Sequence, residues 1–233
     1  MNSLVDYESS SDEERTTNKR RLAEEESAVE RKLPKLSSFF YKEEIIMDSQ
    51  GKIRTVRHKE NSWATHIYCT VDLSSERHRW KDIPSDIHEI EEQHISLSRC
   101  VFLKEHQLEP FSRAIETSLR NMSRFKISFA QLSQLTNDEA TRSFLTLEIG
   151  QGYNQLSACQ TRIDRVMEQY NLPVFYKPPR FHTSIAWALK ASTIDKYISQ
   201  LPSDTLDDLV NHTFWITRLY IKMGNRVHTI QLS

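Results

Sequence analysis

From Trp63 onward the chain alternates. Thr65, Ile67, Cys69 and Val71 fall on one side of an extended segment and Ala64, His66, Tyr68 and Thr70 on the other, which predicts a half-buried strand. QHISLSRCVFL, residues 93–103, repeats the texture. PFSRAIETSLR then shifts to helical spacing, with Phe111, Ile115 and Leu119 four apart and Pro110 placed at the helix entrance. RFKISFAQL alternates Phe125, Ile127 and Phe129. After the turn residues of LTNDEA, RSFLTLEIG returns with Leu145, Leu147 and Ile149 on one face, so the two runs form a hairpin.

Gly150 and Gly152 punctuate the chain before a stripe of Leu156, Cys159, Ile163, Val166 and Tyr170, which predicts an amphipathic helix ended by Pro173. The loop FYKPPR, a strand FHTSIAWAL and a helix around TIDKYISQL follow. In the closing hairpin, Gly224 and Asn225 separate LYIKM from RVHTIQL. Antiparallel hairpins interleaved with helices predict an α+β protein of two pseudo-symmetric lobes, each an antiparallel sheet with helices packed outside, around a central cleft. A parallel doubly wound fold fits this order less well.

Residues 1–36 combine dense mixed charge with little apolar surface and read as a disordered tail ahead of a single bilobed domain, 37–233. Within the tail Lys19, Arg20 and Arg21 are followed by Arg31 and Lys32, a two-part basic spacing that fits nuclear import and sets the expectation of a nuclear protein. No apolar run approaches the ~20 residues of a membrane span. Cys69, Cys100 and Cys159 make no C-x-x-C pair and read as reduced core thiols. A formal net charge of −1 supplies no global field for nucleic acid, so any anion site has to be a local patch.

The chemistry concentrates in two figures, His94-Ile95-Ser96 and His182-Thr183-Ser184. On a strand, alternate side chains share a face, so His94, Ser96 and Ser98 look one way, as do His182 and Ser184, while Ile95, Leu97, Thr183, Ile185 and Trp187 look the other. If the two strands met, two imidazoles and two hydroxyls would line one cleft. An imidazole titrates near ~6.5, so one can accept a proton and the other donate one without a metal. The hydroxyls would bind phosphate oxygens as charge develops. With RNA the 2′-OH is the nucleophile, and a 2′,3′-cyclic phosphate is left.

At these residues the sequence resembles the 2H phosphodiesterase superfamily, and most of all the U6 small nuclear RNA phosphodiesterase family. The likeness extends through NSWATHIYCTVDL, EEQHISLSRCVFLKEHQLEPF, TRSFLTLEIGQG, IDRVMEQYNLPVFYKPPRFHTSIAW and ITRLYIKMGNRVHTIQL, nearly all of residues 50–233. The resemblance implies a metal-independent 3′-to-5′ exoribonuclease that trims uridines from the 3′ end of U6 RNA and leaves a cyclic phosphate. No cofactor is implied, and the protein would act as a monomer with RNA as its partner and no membrane.

It implies His94 and His182 as the proton-transfer pair and Ser96 and Ser184 as phosphate-binding hydroxyls. Ile95 and Thr183 are carried over as phosphate-site positions. Tyr176 would stack on the terminal base, and Pro178, Pro179, Arg180 and Phe181 would set main-chain groups beside that nucleotide. Asp138 stands where relatives carry a glutamine facing the uracil edge, a departure, since a carboxylate accepts but does not donate. Other substrates of the 2H type, such as 2′-5′ oligoadenylate or a small cyclic phosphate, and a non-catalytic RNA-binding module are the competing readings.

Among the remaining residues, His66 could support the site but reads first as a surface residue on a half-buried strand, and Trp63, Trp187 and Trp215 read as core rather than as base-stacking platforms. His58, His78, His88 and His106 show no metal-ligand spacing. Lys177, Arg180, Arg124 and Lys126 are the cations that could meet RNA phosphates.

Overall fold

The computed structural model describes residues 61–233 apart from 81, 203 and 206. The charged tail, its basic clusters, His58 and the first part of the 37–233 domain lie outside the described residues. The strands are β1 (Trp63–Thr70), β2 (His88–Glu89), β3 (His94–Ser96), β4 (Val101–Leu103), β5 (Phe125–Ile127), β6 (Phe129–Thr136), β7 (Ser143–Ile149), β8 (His182–Ala188), β9 (Phe214–Ile216), β10 (Arg218–Met223) and β11 (Arg226–Gln231). Helices α1 (Glu105–Leu119), α2 (Tyr153–Gln169), α3 (Ala191–Gln200) and α4 (Asp207–Asn211) complete the set, with a 3₁₀ helix at Ser74–Trp80.

The α+β class read from the sequence is the one found, and every strand pairing is antiparallel. The lobes share one sheet. Its order is β11-β10-β1-β3-β8-β7-β6, with β4 continuing along β1 and β2 along β8. One half is the β10–β11 hairpin joined to β1; the other is the β6–β7 hairpin joined to β8. Contact between β3 and β8, at the single register pair Ile95↔Thr183, welds the halves.

An antiparallel sheet can keep one face wet, and this one does. Ile67, Cys69, Ile95, Leu97, Leu145, Leu147, Leu219 and Ile221 are fully buried on one face. Helix α1 packs on α2 and reaches β11, while α3 lies against β6, β7 and β8. The opposite face carries His66, Tyr68, His94, Ser96, His182 and Ser184, none of them buried.

Four local readings change. Helix α1 begins at Glu105, and Pro110 sits inside it: the Gln107 side chain accepts a hydrogen bond from the Lys104 N–H at 2.9 Å, so the start is capped one turn before the proline. RFKISFAQL is broken at Ser128 into β5, which pairs with β9 in a separate two-stranded sheet, and β6, which joins the main one. Cys100 is exposed, unlike the buried Cys69 and Cys159. The tryptophans are not all core: Trp63 packs half-buried against it, whereas Trp215 is 54% exposed on β9 between Arg124 and Lys126.

Trp187 changes face for an identifiable reason. Leu145 pairs with Ala186 but Thr146 pairs with Ser184, so Ile185 is an extra residue in β8. The bulge shifts the phase of alternation. Ile185 and Ala186 are both buried, at 1% and 0% exposure. Trp187 then pairs with Phe144 on the wet face, tilted against the His88 ring at 4.4 Å with Arg142 above it at 4.5 Å.

Gly152 heads α2 at φ +87°, where a Cβ would stand 2.6 Å from both Ile127 Cγ2 and the Lys126 carbonyl oxygen. Its left-handed backbone sets the angle at which α2 leaves the sheet. Gly152→Ala combines positive-φ strain with a clash against β5, so urea denaturation is expected to report a loss of about 2–4 kcal/mol. Wild-type stability in this variant would contradict the close approach.

Candidate active site

The register pair Ile95↔Thr183 determines the geometry of the wet face. Counting outward from it in antiparallel sense places His94 opposite Ser184 and Ser96 opposite His182. Each histidine therefore faces the other motif's serine, and the two imidazoles lie on one diagonal, their Cα positions roughly 7–8 Å apart, with the two hydroxyls on the other. Two imidazoles and two hydroxyls on crossed diagonals are the groups that can share the oxygens of a tetrahedral anion. The motif side chains the sequence predicts to converge do converge.

Both rings are held the same way. His182 Nδ1 is 2.8 Å from the carbonyl of Arg180, and a carbonyl can only accept, so Nδ1 carries the proton and Nε2 is left for the cleft. His94 likewise donates a ring N–H to the carbonyl of Glu92. In each motif the acceptor is the carbonyl two positions earlier, which repeats the pseudo-symmetry of the lobes in the way the rings are held.

Desolvation by the residues packed around the rings lowers the pKa of both histidines below the ordinary imidazole value and outweighs the carbonyl acceptors. Lys222 lowers His94 further, and the charges of the Arg180 guanidinium and His94 lower His182, opposed by Glu148. Glu148 is the β7 partner of His182 and is itself held low by Arg180, whose Nε donates to it at 3.1 Å and whose Nη2 makes a second contact. Arg180 is thus paired with a carboxylate beside His182, with about half of its side chain still exposed.

The segment between α2 and β8 is fastened from below. Tyr153 donates its hydroxyl to the Pro179 carbonyl at 2.8 Å, and Asp164 accepts the Phe175 N–H at 2.9 Å. Phe175 and Phe181 stack at 5.8 Å. These anchors leave Tyr176 45% exposed at the surface. Its hydroxyl donates to Asp138 at 2.7 Å, and the same carboxylate oxygen accepts from Arg99 at 2.9 Å, while the Arg99 guanidinium lies 4.4 Å from the tyrosine ring centroid. These contacts bring Asp138 of the β6–β7 loop beside Tyr176, and they add Arg99, which no sequence motif singles out.

Some assigned positions reach the site only through their backbone. Ile95 and Thr183 are 0% exposed and Phe181 is 2% exposed, their side chains facing the core because they hold the alternate positions of their strands or the aromatic stack beneath the loop. Pro178 and Pro179 have no backbone N–H to offer, so what they contribute is shape and carbonyls. His66, read as a surface residue, stands 5.0 Å from Tyr68 and 6.1 Å from His94. Burial first, then His94 and Lys222, lower its pKa to about 4, so it is neutral near pH 7. Among the described residues no group of three or more His, Cys, Asp or Glu side chains is arranged to hold a metal, and no helix is long and apolar enough to cross a membrane.

Against known proteins, the family model described as "HVSL: Uncharacterised conserved protein" matches residues 38–231. The human protein named U6 snRNA phosphodiesterase 1 is 34% identical over 148 residues, covering 60% of this chain and 56% of its own length. The Drosophila melanogaster protein of that name is 27% identical over 216 residues, covering 87% of this chain and 83% of its own. The chain spans about half the length of the mammalian relatives it matches, 55% of the rat protein and 56% of the human one.

In structure it is similar to Kluyveromyces marxianus Usb1 with uridine monophosphate, at TM-score 0.56 and 18% identity, covering 74% of this chain and 99% of that one, a likeness of fold. A model spanning residues 38–231 takes in both lobes and both histidine motifs. The chain belongs to the HVSL family, together with relatives named U6 snRNA phosphodiesterase 1.

Proposed function

We propose that this chain is a metal-independent 3′-to-5′ exoribonuclease that trims uridines from the 3′ end of U6 small nuclear RNA and leaves a 2′,3′-cyclic phosphate. It needs no cofactor and acts as a monomer in the nucleus, the compartment to which the basic clusters of the tail point. The observation that carries the reading is the crossed pair of diagonals, two histidines on one and two serines on the other, built by the Ile95↔Thr183 register. The names of the relatives direct the choice of RNA. The uridine monophosphate that accompanies Usb1 in its structure agrees with a uridine-binding site.

In this reading the 3′-terminal nucleoside stacks on Tyr176, on the side of the cleft from which β8 starts. The oxygen leaving phosphorus is that nucleoside's 5′ oxygen. His182 is two residues beyond Arg180 on the same strand entrance, so it is the acid; His94, across the diagonal, is the base. His94 Nε2 takes the proton of the 2′-OH on the preceding nucleotide, and that oxygen bonds to phosphorus. The P–O5′ bond breaks as His182 Nε2 gives its proton to O5′. Ser96 and Ser184 donate to the non-bridging oxygens, whose charge grows as phosphorus becomes five-coordinate. The products are the released terminal nucleoside and an RNA one residue shorter that ends in the cyclic ester.

His94→Ala and His182→Ala are each expected to lower single-turnover trimming of oligouridine by about 10²–10⁴-fold. A substrate with sulfur in place of the leaving 5′ oxygen separates the roles, because thiolate leaves without a proton. It should restore His182→Ala and leave His94→Ala inactive; the reverse pattern would exchange the two roles, and full activity in either alanine variant with ordinary RNA would end the paired mechanism. Since both imidazoles are held below their ordinary value, kcat/KM for the free protein should form a bell with its maximum on the acid side of pH 6.5. A profile still climbing above pH 8 would contradict that assignment.

A further inference from the structure

The wet face extends well past the catalytic diagonal. On β1, Tyr68 pairs with Ser96 and Thr70 with His94; on the far side of β1, Tyr68 pairs with Tyr220 and His66 with Lys222. Alternation places His66, Tyr68, Tyr220 and Lys222 on the face that bears the two motifs. Tyr68 and Tyr220 lie nearly parallel, centroids 5.5 Å apart and planes 23° apart. Tyr68 also stacks on His66 at 5.0 Å and meets His94 edge-on at 5.4 Å. The rings of His66, Tyr68 and Tyr220 are all half-buried.

We propose that this strip binds the nucleotide immediately 5′ of the scissile phosphate, with Tyr68 and Tyr220 forming the platform for its base and Lys222 meeting the phosphate further upstream. The inference rests on the RNA reading of the catalytic site and adds a second nucleotide position to it. Three features carry it. The strip borders His94 on the side of β3 away from β8, so a strand whose terminal nucleoside sits at Tyr176 and whose phosphate lies between the histidines continues over β1 and β10. The platform serves no core, for the apolar partners of these strands, Ile67, Cys69, Leu219 and Ile221, all lie on the opposite face.

The third feature is that the groups are unspent. Among the described residues neither tyrosine hydroxyl has a hydrogen-bond partner, and the exposed Lys222 has no carboxylate in ion-pair range. His66 stays uncharged near neutrality and so offers a flat ring beside Tyr68. Stacked aromatic rings with one adjacent cation match single-stranded nucleic acid, whose bases offer π-faces and whose backbone offers charge.

The test compares two short oligouridines, one intact and one with an abasic ribose immediately 5′ of the scissile linkage, which keeps the 2′-OH and removes only the base. The full chain should cleave the intact substrate with a kcat/KM about ten-fold higher. In Tyr68→Leu with Tyr220→Leu that ratio should fall to about one. It should persist in Tyr68→Phe with Tyr220→Phe, which keep the rings, and in Tyr176→Leu, which alters the other nucleotide position. Lys222→Met should reduce the slope of log kcat/KM against log salt by about 0.7.

A leucine double variant that keeps the wild-type ratio, or that loses both substrates equally, overturns the proposal. If the double variant does not fold, Tyr220→Leu alone decides the question by the same ratio. If the wild-type chain cleaves neither RNA, the catalytic reading fails separately. The strip is then judged by fluorescence anisotropy with 2′-O-methyl oligouridine: about ten-fold weaker binding by the leucine variant supports it, and equal binding overturns it.

Discussion

The antiparallel contact between β3 and β8 is the constraint on which the site depends. One register pair, Ile95↔Thr183, joins the two halves of the sheet and at the same time determines which side chains cross the cleft. Because strand side chains repeat every two residues, a slip of one position would turn either motif into the core. That slip is opposed by burial. Ile95 and Thr183 are fully enclosed, as are Leu97 and Leu147 next to them, and moving them to water would cost roughly 1.5–3 kcal/mol for each large apolar side chain. Core packing thus holds the polar face in register.

The protonation of the site follows from the same frame. Carbonyls at Glu92 and Arg180 hold both rings, that of His182 with Nε2 left for the cleft, and the enclosure that keeps the rings in place disfavours their charged forms. In the proposed reaction an anionic phosphate would reverse part of that penalty on arrival, since an opposite charge within a few ångströms raises an imidazole's pKa. Under that proposal, substrate binding and the readiness of one histidine to carry a proton are coupled. Glu148 and Arg180 neutralise one another beside His182 and leave that coupling to the phosphate itself.

Much of this is legible in the sequence. Alternation of apolar and polar residues exposes both motifs, because Ile95, Leu97 and Thr183 have to be buried and His94, Ser96, His182 and Ser184 then have to share the other face. Helix α2 is legible from its stripe, and the closing hairpin from Gly224-Asn225. What escapes depends on partners distant in the chain. Arg99 and Asp138 are 39 positions apart, and nothing local to either marks their ion pair with the Tyr176 hydroxyl at its edge. Strict alternation puts Trp187 on the core face, whereas a single extra residue, Ile185, shifts the phase of β8, and a bulge leaves no signal in an alternation count. Tyr68 is legible as a neighbour of His66 on one strand face, but the β1–β10 register that stacks it on Tyr220 is a tertiary fact.

The central claim is that both imidazoles act on one phosphorus atom. It is tested most directly by NMR titration with the uridine–vanadate complex, in which vanadium is held five-coordinate as phosphorus is in the transition state. The ring ¹⁵N signals of His94 and His182 should move together and saturate at one equivalent, and replacing either histidine by alanine should abolish the response of the other. Movement of only one ring, or independent saturation of the two, would mean that the histidines do not share a phosphate.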